Sequence, residues 1–228
     1  MALKVQVIPV TPFQQNCSLL ICDDTRKAAI VDPGGDLEQL LDAIKASGTA
    51  LEKIFVTHGH IDHCGGAARL RELTGVPIEG PQEEDRFWIE QLPAQGVRFG
   101  FDDVQAFEPD RWLADGDTAS FGKISLAVRH CPGHTPGHVV FFAARERLAI
   151  VGDVLFAGSI GRTDFPRGDL DTLIHSITTR LWTLGGDVTF IPGHGPASTF
   201  AEERETNPFV SDRVLAGAPS KGGRARHL

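Results

Sequence analysis

Residues 57–63 read Thr-His-Gly-His-Ile-Asp-His and place four potential metal ligands, three imidazoles and a carboxylate, within six positions. The β-rich stretch 53–57 predicts a strand that runs into this cluster. Open α/β sheets bind ligands at the carboxyl ends of their strands, so the predicted position suits a binding site. Imidazole and carboxylate are ligands that zinc, iron and manganese favour. The alternative, a solvated histidine loop, is disfavoured because so many clustered titratable groups need a cation to offset them.

Three further side chains extend this constellation. His134 and His194 each follow a Pro-Gly pair, and glycine lets the backbone bend so that side chains from separate loops reach one point. Asp153 follows the apolar stretch 148–152, where an ionisable side chain leaves the predicted core. We interpret Asp153 as a bridging carboxylate; the alternative is a turn-capping aspartate, since Gly-Asp is a common turn sequence. The surrounding histidines favour the bridging interpretation.

The rest of the chain forms two strand-rich halves, each with helices. Strands are expected at 3–10, 18–22, 28–31, 53–57, 120–128, 139–144, 148–151 and 188–191. Helices are expected after a capping Asp36 and, capped by Asp169, over 170–181, while 81–95 indicates a polar helix or a lid. This order predicts a mixed α/β (α+β) fold, a four-layer αββα sandwich. One domain is expected over 1–215, followed by a mobile tail at 216–228.

Charge and hydropathy exclude several classes of partner. The formal net charge is −8 and no Lys/Arg cluster precedes the C-terminus, so nucleic acid is not an expected partner. The longest apolar run, 139–144, is too short to cross a bilayer, and the first residues lack a signal-peptide core. A cytoplasmic protein with no membrane partner is therefore expected. The 4 cysteines match neither zinc knuckles nor a disulfide framework, which favours reduced thiols.

The motif at 57–63, together with Asp32, His134, Asp153 and His194 in that order, resembles the signature of the metallo-β-lactamase superfamily. The resemblance implies two metal ions, one bound by His58, His60 and His134, the other by Asp62, His63 and His194, with Asp153 as the bridge. Asp62 and Asp153 would also serve catalysis together with a metal-bound hydroxide. Asp32, Thr57 and His138 would support the ligands by hydrogen bonding.

Two more stretches resemble the glyoxalase II branch of that superfamily, the hydroxyacylglutathione hydrolases, and its short bacterial members above all. Residues 131–138 read Cys-Pro-Gly-His-Thr-Pro-Gly-His, and residues 158–165 read Gly-Ser-Ile-Gly-Arg-Thr-Asp-Phe. The resemblance implies hydrolysis of a thioester such as S-lactoylglutathione to a hydroxy acid and glutathione. The expected partner is therefore a small acylglutathione or related thioester, and the oligomeric state stays open.

The sequence departs from that branch at substrate-binding positions. It contains no tyrosine, and Asp164 stands near a position where the family has one. The sequence ends soon after His194, so we expect the C-terminal helical domain that supplies glutathione contacts to be missing. Arg162 matches a basic substrate contact, and the alternative is a loop arginine that pairs with Asp164 or Asp169. The acyl group that the site prefers is left open.

Two divalent ions are the expected cofactors, with zinc as the first choice and iron or manganese as alternatives. The first alternative function is an iron-dependent glutathione persulfide dioxygenase, whose family shares the fold and the segment 161–165. The alternative of another class is a non-catalytic metal-binding module. Structural metal sites are usually closed cages, often with thiolates, whereas seven His and Asp ligands leave room for water, which favours an enzyme.

Overall fold

A computed structural model describes residues 2–217 of the chain. Its first sheet has five strands. They are β1 (Leu3–Val10), β2 (Gln15–Cys22), β3 (Lys27–Val31), β4 (Ala50–Phe55) and β5 (Ile78–Glu79). The strands lie in chain order across the sheet, antiparallel from β1 to β3 and parallel from β3 to β5.

The second half supplies a six-stranded sheet and a short hairpin. The strands are β6 (Thr118–Phe121), β7 (Ile124–His130), β8 (Val139–Ala143), β9 (Leu148–Gly152), β10 (Leu155–Phe156), β11 (Ser159–Ile160), β12 (Thr189–Pro192) and β13 (Ser198–Thr199). The sheet order is β13-β12-β9-β8-β7-β6, with β12 parallel to β9 and the other neighbours antiparallel. The hairpin β10–β11 follows β9 directly.

Helices connect and cover these strands. They are α1 (Leu37–Ser47), α2 (Ile61–Cys64), α3 (Ala67–Thr74), α4 (Arg86–Glu90), α5 (Leu92–Phe99), α6 (Leu170–Ser176), α7 (Phe200–Thr206) and α8 (Asp212–Leu215). A 3-10 turn at Glu83–Asp85 precedes α4, and α6 continues into a π-helical turn at Ile177–Leu181 and a 3-10 turn at Trp182–Leu184. No helix within residues 2–217 is long and apolar enough to span a membrane.

Three clusters of buried apolar side chains define the layers. One lies between the two sheets and includes Phe55 and Phe141. A second packs the outer face of the first sheet against α1 and α3, through Leu40 and Leu70 among others. A third packs the second sheet against α6 and α7, and Phe200 belongs to it. Burial of a large apolar side chain contributes about 1.5–3 kcal/mol. Helix, sheet, sheet and helix layers result, so the predicted αββα sandwich is confirmed.

Burial on both faces explains the apolar runs of the central strands. Every residue of β8, Val-Val-Phe-Phe-Ala, is buried, because one face of this strand contacts the first sheet and the other contacts the helices. Such strands show no alternation of apolar and polar residues. In such a strand, a continuous apolar run and not an alternating pattern predicts the structure correctly.

Several local predictions were wrong or incomplete. The expected strand at 120–128 is two strands, because Gly122 adopts a positive φ of 52° and reverses the chain between β6 and β7. Asp36 precedes α1 but does not cap it through its side chain, which instead accepts a hydrogen bond from the backbone N–H of Thr11. The segment 81–95 is helical and partly buried. Of the predicted tail, residues 218–228 lie outside the described residues.

Candidate metal centre

The candidate ligands lie in the segments that follow four strands, and two of them, Asp62 and His63, belong to the short helix α2. His58, His60, Asp62 and His63 follow β4, His134 follows β7, Asp153 follows β9, and His194 follows β12. These strand ends belong to both sheets and meet at one edge of the sandwich. The structure thus brings together all seven side chains that the sequence singles out, although they are spread over 137 positions of the chain.

The first donor group consists of His58, His60 and His134. The Nε2 atoms of His58 and His134 lie 3.1 and 3.0 Å from Nδ1 of His60. Nitrogen ligands about 2.0–2.1 Å from a tetrahedral zinc ion are about 3.3 Å apart. Three ring nitrogens at this spacing form the face of a metal site.

The second donor group consists of Asp62, His63 and His194. The Oδ2 atom of Asp62 lies 3.1 Å from Nε2 of His194 and 3.8 Å from Nε2 of His63. The ring of His63 is fully buried, whereas the side chains of His194 and Asp62 are 23% and 15% exposed. This group therefore faces the opening of the site.

Asp153 lies between the two groups. Its Oδ2 is 3.6 Å from Nε2 of His134 in the first group and 3.8 Å from Nε2 of His194 in the second, and its Oδ1 is 3.3 Å from Nε2 of His63. A side chain at Gly193 would begin 2.1 Å from Oδ1 of Asp153. Glycine at position 193 thus keeps the space between the groups open.

Hydrogen bonds fix which nitrogen of two rings faces the centre. Nδ1 of His134 donates to the carbonyl oxygen of Arg162 at 2.7 Å, and Nδ1 of His194 donates to that of Phe13 at 3.2 Å. A carbonyl oxygen can only accept, so Nδ1 carries the proton in both rings. The Nε2 lone pairs remain for a metal ion, an arrangement typical of ligating histidines.

Asp32 supports the two donor groups together with Thr57. Its carboxylate accepts hydrogen bonds from Nδ1 of His63 at 2.9 Å and from the N–H and hydroxyl of Thr57 at 2.7 and 2.6 Å. The Thr57 hydroxyl oxygen lies 3.0 Å from Nδ1 of His58 and can accept its proton. One buried carboxylate therefore orients a ring of each group.

His138 contacts Asp153 and not the centre itself. Its Nε2 accepts the backbone N–H of Asp153 at 3.0 Å, and its ring stacks on His58 with centroids 4.6 Å apart. It is absent from both donor groups among the described residues. Its place is that of a supporting residue.

Buried atoms without partners show that the donor set fits a metal. Nε2 of His63 and Oδ1 of Asp153 have no hydrogen-bond partner among the described residues. Unpaired polar atoms in a protein interior are costly and therefore rare. A cation placed between these inward-facing atoms would satisfy them, and nitrogen and carboxylate donors suit zinc, iron or manganese.

The charge states also favour cation binding. Burial lowers the pKa of His58 and His60 well below the usual range, so these rings are neutral. Burial alone would raise the pKa of Asp153, but the neighbouring ring of His63 and other imidazoles lower it strongly. The pKa of His63 is raised by Asp153 and Asp62, against the effect of its burial. The first group thus offers neutral imidazoles, while the carboxylates beside His63 favour positive charge at the second group.

The Arg162 side chain lies outside this donor set. Its guanidinium donates to both carboxylate oxygens of Asp164, at 3.0 and 2.8 Å, and lies 4.6 Å from the ring centroid of Phe165. Half of the Arg162 side chain is exposed. Its backbone carbonyl, in contrast, holds the His134 ring. The structure therefore shows the predicted ion pair, and a substrate contact remains a prediction.

Sequence reasoning missed Asp85. This residue is fully buried, and its carboxylate accepts hydrogen bonds from the N–H of Gly59, the hydroxyl of Thr135 and the N–H of Gly137 at 2.8, 2.8 and 2.6 Å. Burial raises the pKa of Asp85 to about 6, and the three hydrogen bonds oppose that rise. Asp85 follows Glu83 and Glu84 in a polar segment, so no sequence pattern distinguished it from its charged neighbours.

Two aromatic side chains that the sequence did not single out cover one ring of the first group. Trp88 and Phe165 meet His60 edge-on, with ring centroids 4.6 and 4.8 Å away. Trp88 is buried and Phe165 half-buried. Their apolar rings cover His60 on the side away from the second group's partly exposed Asp62 and His194.

Residues 10–194 match the family model of the metallo-beta-lactamase superfamily. The chain belongs to the metallo-β-lactamase superfamily. It is also 47% identical over 212 residues to the hydroxyacylglutathione hydrolase GloC of Haemophilus influenzae, a match that covers 92% of this chain and 100% of that protein. Together these matches establish a metal-dependent hydrolase and confirm the resemblance to the glyoxalase II branch.

Two other similarities bear on the metal and on the alternative function. The crystal structure of TTHA1623 in a di-iron-bound form superposes with a TM-score of 0.81 at 34% identity, covering 90% of this chain and 100% of that one. The mitochondrial persulfide dioxygenase ETHE1 of Bos taurus is 33% identical over 193 residues, 82% of this chain and 68% of that protein. The donor set and the superfamily support a binuclear site, while the metal's identity stays open.

Proposed function

We propose that this chain hydrolyses the thioester bond of an acylglutathione such as S-lactoylglutathione, using two divalent ions, with zinc the first candidate. One observation carries the proposal: two donor groups share Asp153, whose carboxylate faces a histidine nitrogen of each at 3.6 and 3.8 Å. A shared carboxylate suits a pair of ions better than a single structural one. The acylglutathione follows from the 47% identity to a hydroxyacylglutathione hydrolase.

Two ions held there would lower the pKa of water toward about 7 and stabilise negative charge on the thioester carbonyl oxygen. Asp62 lies at the open side of the site and can orient the attacking water through its carboxylate. Trp88 and Phe165 limit the entry of other water from the side of His60. His138 keeps Asp153 in place through the backbone N–H.

The reaction forms a carbon–oxygen bond with water and breaks the carbon–sulfur bond. Glutathione leaves as a thiolate, and because a thiol has a pKa of about 8.5 the leaving sulfur needs little protonation. A separate general acid is therefore not required. The proton lost by water goes to solvent at the exposed side of Asp62 and His194.

Hydrolysis rates over a panel of acylglutathiones, a lactone and a β-lactam test this proposal, with metal content measured on the same sample. We expect an acylglutathione to be the fastest substrate and close to two ions per chain. Oxygen consumption with glutathione persulfide, without thioester hydrolysis, would instead support the dioxygenase. Active protein free of metal would contradict both functions.

A further inference from the structure

The two loops that carry the first donor group are joined by a residue that binds neither metal nor substrate. Gly59 lies between His58 and His60, and Thr135 follows His134. One carboxylate, that of Asp85, bonds to both loops. The proposed mechanism gives this buried acid no part in the reaction, yet it lies between two segments that carry metal ligands.

The two oxygens of Asp85 have separate partners. Oδ2 accepts from the Gly59 N–H and from the Thr135 hydroxyl, both at 2.8 Å, and Oδ1 accepts from the Gly137 N–H at 2.6 Å. Gly59 and Thr135 are direct neighbours of first-group histidines, and Gly137 lies three residues after His134 in the same turn. The bonds thus hold the loop after β4 at a fixed distance from the loop after β7.

Close packing prevents these loops from moving independently of Asp85. A side chain at Gly59 would begin 2.6 Å from Cβ of Trp88, and one at Gly137 would begin 2.6 Å from the backbone nitrogen of Asp85. The backbone N–H of Gln82 also donates to the carbonyl oxygen of Gly137 at 2.9 Å. The segment from Gln82 to Trp88 therefore packs closely against both loops and holds them in place.

We propose that Asp85 is a positioning residue that sets the spacing of His60 and His134, and with it the affinity of the first donor group for its ion. The inference rests on the proposed two-metal function. The nitrogens concerned lie 3.0 Å apart, one on each loop that Asp85 joins. The second group has no hydrogen bond to Asp85 and is supported by Asp32, so the effect of Asp85 is selective for one ion.

The carboxylate is required because all three partners are donors. In Asp85→Asn one oxygen becomes an NH₂ group that faces an N–H or hydroxyl donor, so at least one bond is replaced by repulsion. Residues that support a metal ligand typically change metal affinity 10–100-fold when replaced. We expect a loss of about that size for the first-group ion alone.

The test measures zinc and cobalt affinities of both sites by competition with a chelating indicator, in wild type, Asp85→Asn and Glu84→Gln. The exposed neighbour Glu84 provides the same change from carboxylate to amide. We expect Asp85→Asn to bind one ion as wild type does and the other about 10–100-fold more weakly. Excess metal should restore its activity. Glu84→Gln should match wild type.

A milder pair covers the case in which Asp85→Asn fails to fold. Thr135→Val removes one of the three bonds, and Thr135→Ser keeps the hydroxyl. The affinity of the first group for its ion should therefore fall in Thr135→Val and stay close to the wild-type value in Thr135→Ser. Equal affinities in wild type, Asp85→Asn and Thr135→Val would overturn this inference alone, and equal weakening of both ions would show a general structural role instead. Wild type that binds no divalent ion would overturn the proposed function itself.

Discussion

The two donor groups differ in charge and in exposure. The first contains three imidazoles, and the His134 side chain is only 3% exposed; the second contains Asp62, and its His194 is 23% exposed. A neutral, buried set depends on geometry for its affinity, since it lacks a carboxylate of its own. The second set would attract an ion by charge and, being more exposed, would exchange it with solvent more readily.

This difference assigns separate tasks to the two groups. The first, whose His60 is covered by Trp88 and Phe165, is suited to holding an ion in surroundings that exclude water. The second, at the opening, is suited to receiving water and substrate. Asp153 belongs to both groups, so a substitution at Asp153 should weaken the binding of both ions. Substitution of a ligand that belongs to one group should mainly affect the ion of that group.

Asp153→Asn should have the largest effect on activity. The amide offers one oxygen instead of a charged pair, and both ions lose their shared ligand. We expect kcat to fall by more than about 100-fold, the upper range for residues that only support a ligand. Steady-state kinetics and metal analysis of the same preparation measure this. Full turnover with two bound ions would remove Asp153 from the bridging position.

His58→Ala and His194→Ala should separate the groups. Each removes one ligand from one group, so metal content should fall toward one ion per chain in both variants. The remaining ion differs: it is the exposed one in His58→Ala and the buried one in His194→Ala. Cobalt-loaded samples should give different visible spectra. Identical spectra, or loss of both ions in both variants, would show that the groups act as one site.

Exposure to a chelator should release the two ions at different rates. A second-group ion would be reached from solvent past His194 and Asp62, which are partly exposed, whereas a first-group ion would be held by buried rings. Stopped-flow release into a chelating dye should show a fast and a slow phase of equal amplitude in wild type. In His194→Ala only the slow phase should remain. A single phase that releases both ions would contradict the difference in exposure.

Short motifs explain why the donor residues could be predicted from the sequence. Each candidate ligand follows an apolar strand directly or sits in a glycine-rich turn, so its place at a strand's carboxyl end follows from local patterns. The αββα layering followed in the same way from apolar runs with helical patterns between them. What the sequence could not supply was distance, such as the 3.0 Å between His60 and His134.

Asp85 could not be predicted because its partners leave no pattern. Two of its three bonds come from backbone N–H groups of Gly59 and Gly137, which every residue except proline has. The split between β6 and β7 was missed for a related reason. A positive φ at Gly122 is one conformation among several that glycine adopts, and only the packed structure selects it.

The smallest effect is expected at Arg162, outside both groups. Its guanidinium pairs with Asp164 at an exposed position, and exposed ion pairs contribute at most about 1 kcal/mol. If Arg162 also contacts the anionic glutathione portion, Arg162→Ala should raise KM a few-fold for acylglutathiones, since about 1.4 kcal/mol corresponds to tenfold. KM for a neutral thioester should not change.

Arg162 offers its own controls, because its backbone and side chain act separately. The carbonyl that holds His134 remains in Arg162→Ala, so metal content should stay at the wild-type value and any change in KM reports the side chain alone. Arg162→Lys keeps the charge and should recover part of the affinity. Asp164→Asn removes the competing carboxylate, so it should lower KM for acylglutathiones if Arg162 reaches them. Equal shifts for charged and neutral thioesters would show that Arg162 serves the loop, through Asp164 and Phe165, and not the substrate.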